Sequence, residues 1–261
     1  MFKRTYLART AVVALAGITL LSSCGRANDD NFDDRVNLAE PKVRFIHAIP
    51  AGPALSLFRN GVVQPGATNV DYKFGSQYFG VGRGQTAFSA HTVAIDREVA
   101  NATIDTQRGR KYTLVALPAL SGVELLSIDD PFSKSLASDN ARIRVVNASP
   151  NTGKIDVYLT GATVDLSAAT PIIAAVGYKE ASPASGSNSI ELEGNSYLLR
   201  ITSAGSKSAA FTTTLNVPKN ADWLLVTLAE SGAAILRPND IRVLLVRADD
   251  SGKATDELVS Q

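Results

Sequence analysis

The sequence predicts an all-β protein of two tandem immunoglobulin-like β-sandwich domains, and three observations carry that prediction. The first is an internal repeat: Val43 to Gly61, VRFIHAIPAGPALSLFRNG, returns one hundred residues later as Ile143 to Gly161, IRVVNASPNTGKIDVYLTG. The second is a series of short β-branched and aromatic runs with Gly, Pro or Asn between most of them, the spacing of a sandwich rather than of helices or alternating β/α units. The third is size. The chain has 261 residues, 45% hydrophobic and 20% charged, which suits two domains of roughly 100 to 200 residues each.

The chain opens on an export signal. Lys3, Arg4 and Arg9 precede an uncharged apolar stretch from Ala11 to Leu21, too short for a membrane span of about 20 residues. It ends in Leu21-Ser22-Ser23-Cys24, which resembles the lipobox of bacterial lipoproteins. That resemblance implies removal of residues 1–23, a diacylglycerol thioether and an N-acyl chain on Cys24, and stable anchoring, since each buried acyl CH₂ contributes about 0.8 kcal/mol. Gly25 follows where an aspartate would resemble an inner-membrane retention signal, so outer-membrane sorting is expected. Cys24 is the only cysteine, which excludes an intramolecular disulfide and zinc sites built from several thiolates.

Residues 24–41 read as a lipidated tether. Gly25 to Pro41 is polar and acidic with no apolar period, so a flexible chain spanning on the order of 20 to 25 Å is expected. Its Asp29, Asp30, Asp33 and Asp34 lack the glycine and terminal glutamate of a helix-loop-helix calcium loop.

The first sandwich is assigned to residues 42–137. Val43 to His47 is its opening strand, stopped by Ile49-Pro50-Ala51-Gly52-Pro53, and Ala54 to Arg59 is the next. Asn60-Gly61 before Val62-Val63 predicts a hairpin, because both turn residues tolerate positive φ. Further strands are expected at Gln77–Gly80, Thr86–Thr92, Ala102–Thr106, Lys111–Leu117 and Val123–Ile128. Asp129 to Asn140 is the expected junction and, with its polar character, a site for limited proteolysis.

The second sandwich is assigned to residues 138–261. Phe74-Gly75 is matched with Val176-Gly177, Gly84 with Gly194, Lys111–Leu117 with Asp222–Leu228, and Ser121-Gly122 with Ser231-Gly232. The growing offset is placed mostly at Ser182 to Ser189, a low-complexity surface loop. Ile241 to Val246 is either the start of a third copy or a strand that closes the second sheet. Closure is preferred, because an unpaired apolar strand is an aggregation hazard. Asp249 to Gln261 reads as a polar tail.

The doubled pattern resembles the bacterial family of domains of unknown function numbered 4397. Arg44, His47, Ala48 and Pro50 carry the match in the first copy; Arg144, Ala148, Ser149, Pro150, Asp156, Val157, Tyr158 and Gly161 carry it in the second. The resemblance implies a secreted or envelope-anchored β-sandwich and supplies no reaction. Where the copies differ, with His47 against Asn147 and Ser56 against Asp156, two equal active sites are not expected.

Reactive constellations are sparse. The two histidines, His47 and His91, lie in separate strands and are expected to be structural. Gly80-Val-Gly-Arg-Gly84 lacks the strand and helix of a phosphate loop and is expected to be a hairpin turn. Asp71, Asp96, Glu98 and Asp105 are the carboxylates open to acid-base work, and Trp223 is expected in the core. No nucleophile elbow or metalloprotease helix motif occurs. A near-neutral chain, with 23 basic and 25 acidic residues after signal removal, gives no reason to expect nucleic acid. The expectation is therefore a non-catalytic outer-membrane lipoprotein without cofactor or metal, partnered by the membrane through Cys24 and by envelope proteins or glycan. Glycan or small-ligand binding and cell-envelope hydrolysis are the alternatives.

Overall fold

The computed structural model describes residues 32–230, 237–248 and 254–261. Cys24, the expected export signal, the start of the expected tether and the matched pair Ser231-Gly232 lie outside the described residues. Among the described residues the fold is nearly all β, with one four-residue helix, α1 (Phe32–Arg35).

Two sheets build the first half. Strands β1 (Lys42–His47), β4 (Phe79–Gly80), β7 (Arg110–Ala119) and β8 (Gly122–Pro131) form an inner sheet in the order β4-β1-β7-β8. Strands β2 (Leu55–Arg59), β3 (Val62–Val63), β5 (Gly84–Thr92) and β6 (Arg97–Thr106) form an outer sheet in the order β3-β2-β5-β6. Asn60 and Gly61 both take positive φ, 49° and 77°, and close the β2–β3 hairpin that their sequence predicts.

The second half repeats this connectivity. Its inner sheet is made by β9 (Ala141–Asn147), β12 (Ala181–Ser182), β13 (Ile190–Leu192), β16 (Asp222–Ala229), β17 (Ile241–Arg247) and β18 (Thr255–Leu258). They run in the order β12-β9-β16-β17-β18, with β13 also on β9. Its outer sheet, from β10 (Ile155–Thr160), β11 (Ile173–Val176), β14 (Asn195–Ser203) and β15 (Ala209–Val217), has the order β11-β10-β14-β15. The register agrees as well: β1 and β7 are parallel with Val43 opposite Tyr112, and β9 and β16 are parallel with Ile143 opposite Trp223.

Three cores result. Phe45, Leu57, Phe88 and Leu114 pack between the first pair of sheets, and Val157, Ile201, Phe211 and Trp223 between the second. The third core lies between the two inner sheets, where Ile46, Val115, Leu117 and Ile128 meet Val146, Leu224, Val226, Leu244 and Val246. Every residue of β16 is buried, and Trp223 to Val226 within it is a continuous apolar run rather than an alternating one. Each large aliphatic in the third core contributes roughly 1.5 to 3 kcal/mol over its exposed state. That outweighs the polar bonds around it and joins the sandwiches face to face.

Several sequence expectations are corrected here. Val70, not Phe74, is the counterpart of Val176: Leu55 bridges Val70 as Ile155 pairs with Val176, so the Tyr-Lys steps 72–73 and 178–179 are equivalent, with Lys73 and Lys179 both at positive φ. Gly84 opposite Thr106 matches Asn195 opposite Val217, one residue beyond Gly194. The added length therefore divides between the stretch after Gly161 and the one around Ser182–Ser189. Gly80 to Gly84 is a crossing from the inner to the outer sheet, not a hairpin, because Phe79–Gly80 pairs with β1 and Gly84 with β6. Ile241–Arg247 does close the second sheet, against β16.

The tail is not merely polar. Thr255–Leu258 adds to β17, with Asp256 bonded to Arg247 and Glu257 2.8 Å from Lys73. Leu258 packs on the second core, and the Gln261 N–H reaches the Thr212 carbonyl on β15 at 2.8 Å. This segment straps the side of the second sandwich. Among the described residues the first pair of sheets has no such strap, and there β6 runs directly along β8.

The tether is not free from Phe32 onward. Asp34 is buried and its carboxylate lies 3.3 Å from Lys111 Nζ, while Arg35 donates to the carbonyls of Ser135, Leu136 and Ser138 and to Asn220. A carboxylate paired in the interior and a guanidinium with four acceptors are reason enough for this polar segment to dock.

Candidate binding surface

The parallel strands give the body two distinguishable ends. The near end is where β1, β7, β9 and β16 begin, beside α1; the far end is where they finish, at His47, Ala119, Asn147 and Ala229. Both sandwiches share these ends, since Lys111 and Asp222, each at a strand start, stand 2.9 Å apart.

Buried charges fill the near end of the interface. Asp222 accepts from Lys111 and from Arg142 at 3.4 Å; Asp130 takes Arg142 at 2.9 Å and Arg144 at 3.0 Å; Ser189 also donates to Asp130. Burial opposes ionisation of Asp222, but Lys111 and Arg142 outweigh it and hold its carboxyl well below the usual range. Burial likewise works against the Lys111 cation, and Asp222 and Asp34 overcome it, raising the ammonium's pKa. Phe132 lies under both Lys111 and Arg142, with 5.0 and 4.2 Å to its ring centre. Thus the expected junction is structural as far as Lys134, which is buried, and only Ser135 to Ala137 beyond it is exposed throughout. The Ser182–Ser189 loop is docked rather than free: Arg144 bonds the carbonyls of Pro183, Ala184 and Ser187, and Asp129 exchanges bonds with Ser185 and Gly186.

At the far end, residues that differ between the copies do the same work. His47 Nδ1 accepts from the Ile49 N–H at 3.3 Å and Nε2 meets the Pro53 carbonyl at 3.0 Å. Asn147 Oδ1 accepts from the Ser149 N–H at 3.2 Å and Nδ2 donates to the Gly153 carbonyl at 3.2 Å. Burial lowers the His47 pKa, so the neutral ring with a proton on Nε2 matches an amide. Ser56 and Asp156 form a second such pair, accepting from the N–H of Asn69 at 3.0 Å and of Ala175 at 2.8 Å, both residues at positive φ. The differences read in the sequence as loss of a shared site are substitutions within one structural clamp. The copies also exchange tyrosine bonds: Tyr72 donates to the Ala229 carbonyl and Tyr178 to the Pro118 carbonyl.

These clamps set the far-end loops, and there an open surface appears. Pro53, Thr92, Arg97, Glu98, Val99 and Ser121 line part of a groove of about 490 Å³. Beside it project Val93, Ile95 and Leu120, with exposures of 43, 69 and 110%.

On the outer sheet next to that groove is the most reactive-looking cluster. Ser89 Oγ lies 3.0 Å from His91 Nε2, Asp96 Oδ1 lies 3.1 Å from Nδ1, and Glu98 is 3.9 Å from Nε2. Phe58 stacks on the imidazole with centres 4.1 Å apart. The distances suit a serine proton relay. Yet Ser89 sits mid-strand, opposite Phe58 on one side and Asn101 on the other, so its backbone N–H belongs to the ladder rather than to an oxyanion hole. In the second copy Arg200 and Thr202 occupy the registers of Ser89 and His91.

Of the carboxylates named from sequence, the structure brings Asp96 and Glu98 to His91 and leaves Asp71 and Asp105 exposed elsewhere. Trp223 is 5% exposed, in the core. His47 and His91 remain on separate sheets, and no cluster of three or more His, Cys, Asp or Glu suited to a metal occurs among the described residues. No helix among them is long and apolar enough to cross a membrane. The alternation of Ser89 and His91 on one face of β5, and the short hairpin to Asp96, were the sequence signals of the cluster.

The fold and its surface describe an all-β body with loops gathered at one end. Residues 41–158 match the family model described as a domain of unknown function (DUF4397), which spans the first sandwich and the first two strands of the second. No curated protein matches the chain.

Proposed function

We propose that the protein is a non-catalytic envelope lipoprotein, acylated at Cys24 and sorted to the outer membrane, whose two immunoglobulin-like sandwiches act as one rigid body that presents its far-end loops to a protein partner. The observation behind this reading is the polarity of the body. The chain from Cys24 joins it at the near end through Asp34 and Arg35, while Val93, Ile95 and Leu120 project from the other. Exposed aliphatic side chains beside a groove are the usual mark of a protein contact. A photo-cross-linker in place of Leu120 should then capture one envelope protein in cells, and the same group in place of Thr214 on an outer sheet should not. Equal capture at both positions contradicts the reading. Fractionation of Cys24→Ala tests the anchor separately: release from membranes is expected, and retention at the parent level contradicts it.

The Ser89–His91–Asp96 relay favours one other reading, a hydrolase. A fluorophosphonate probe that labels the parent and not Ser89→Ala would establish it over the binding role. For glycan binding, Phe32 is the one strongly exposed aromatic among the described residues, and it lies at the anchor end.

A further inference from the structure

Three large apolar side chains surround the point where the N-terminal segment docks. Phe32, Leu38 and Leu136 are 64, 59 and 58% exposed. They belong to one surface: Arg35 of α1 donates to the Leu136 carbonyl at 2.9 Å, and Asp33 accepts from the Leu38 N–H at 3.0 Å. On the same end, Val62 follows the turn that closes the first outer sheet and is 69% exposed. Two ion pairs flank the patch. Arg108 pairs with Glu40 at 2.6 Å and Lys219 with Asp139 at 2.5 Å.

The length of chain before Phe32 decides what can cover this patch. Eight Cα steps separate Cys24 from Phe32, which span at most about 28 Å even fully extended. The strands that lead to the far end are up to ten residues long, as in β7, which places the far-end loops roughly 30 Å further on. An acyl group on Cys24 therefore holds the near end against the bilayer and cannot bring the far end to it.

We propose that this near-end patch is a second membrane contact, seated in the headgroup and acyl boundary beside the lipid anchor, so that the body stands on the membrane in one orientation. The proposal rests on acylation of Cys24. Because the neighbouring ion pairs leave little net charge, the contact is apolar and insensitive to salt. The seated face also shields Ser135 to Ala137, the exposed part of the junction.

The test uses the full acylated chain in vesicles of phosphatidylethanolamine and phosphatidylglycerol at three to one. Trp223 is buried and common to all variants, so Phe32→Trp and Ile95→Trp each add one reporting indole at opposite ends. Brominated lipid should quench the Phe32→Trp signal several-fold more than the Ile95→Trp signal, equally at low and high salt. The triple variant Phe32→Ser, Leu38→Ser, Leu136→Ser should still float with vesicles but lose at least about tenfold of the protease protection at 135–137, as expected for exchanging three apolar side chains for hydroxyls. Equal quenching at the two positions, or protection unchanged in the triple variant, overturns the seating while leaving the anchor intact. A parent chain that carries no acyl group and does not float overturns both.

Discussion

The two halves of this chain keep the same bonds at their loops although the residues there differ, and carry opposite charges where they face each other. His47 and Asn147 bridge the same two backbone groups in the same way, and Ser56 and Asp156 each hold the N–H of a residue at positive φ. At the interface the reverse holds. Lys111 and Asp222 occupy equivalent positions of β7 and β16, yet they carry opposite charges and bond each other. Two identical copies facing one another through that position would set like charges together at the same depth. Two halves of one chain escape this, because each can change alone. The comparison teaches that repeat positions facing their own loops keep a bond, while those facing the other half acquire complementarity.

The largest expected effect lies at that charge pair. Lys111→Met leaves Asp222 buried beside Arg142 with one partner removed, and should cost about 3 to 5 kcal/mol in denaturant unfolding. A loss below about 1 kcal/mol would mean that the pair is not the specific contact between the halves.

The side closures come next. Truncation after Ala248 removes β18 and the cover that Leu258 gives the second core, and a loss of about 2 kcal/mol is expected from urea titration. No segment plays that part in the first sandwich, so a truncation that leaves the unfolding midpoint in place would erase the asymmetry.

The smallest effect sharpens the comparison most. His47→Asn copies the second half into the first and should change stability near pH 8 by less than about 1 kcal/mol, whereas His47→Ala should lose about 1 to 3 kcal/mol by leaving buried backbone groups unpaired. The two also differ in pH dependence. Burial keeps the folded pKa of His47 below its ordinary 6.5, so below that pH the unfolded chain binds the proton more readily than the folded one. The histidine's contribution is complete above about pH 6.5 and drains away as pH falls toward the folded value. His47→Asn should flatten stability across that window, measured as the urea midpoint at successive pH values.

Much of the scaffold could be read directly. The repeat, the Asn60-Gly61 hairpin and most of the strands follow from apolar runs and turn residues. The third core left a signal that alternation does not capture: Leu114–Leu117 and Trp223–Val226 are apolar without a break, as strands buried on both faces tend to be. β18 was hidden because Thr-Asp-Glu-Leu supplies only one apolar side chain, and its stability comes from Arg247, Lys73 and the edge of β17. Docking of Phe32 to Pro41 was hidden for a related reason, since Asp34 in a polar segment looks solvated until Lys111 is placed beside it. The His91 cluster was half legible: Ser89 and His91 share a strand face, but Asp96 reaches them only through the hairpin.

The claim that joins these features is that the two sandwiches unfold as one body through their common core. Calorimetry of residues 24–261 with Cys24→Ser tests it, comparing the parent with Leu57→Ala in the first core and Leu245→Ala in the second. One transition that shifts downward as a whole in either variant, with equal calorimetric and van't Hoff enthalpies, is expected. Two transitions, of which each variant moves only its own, would contradict it.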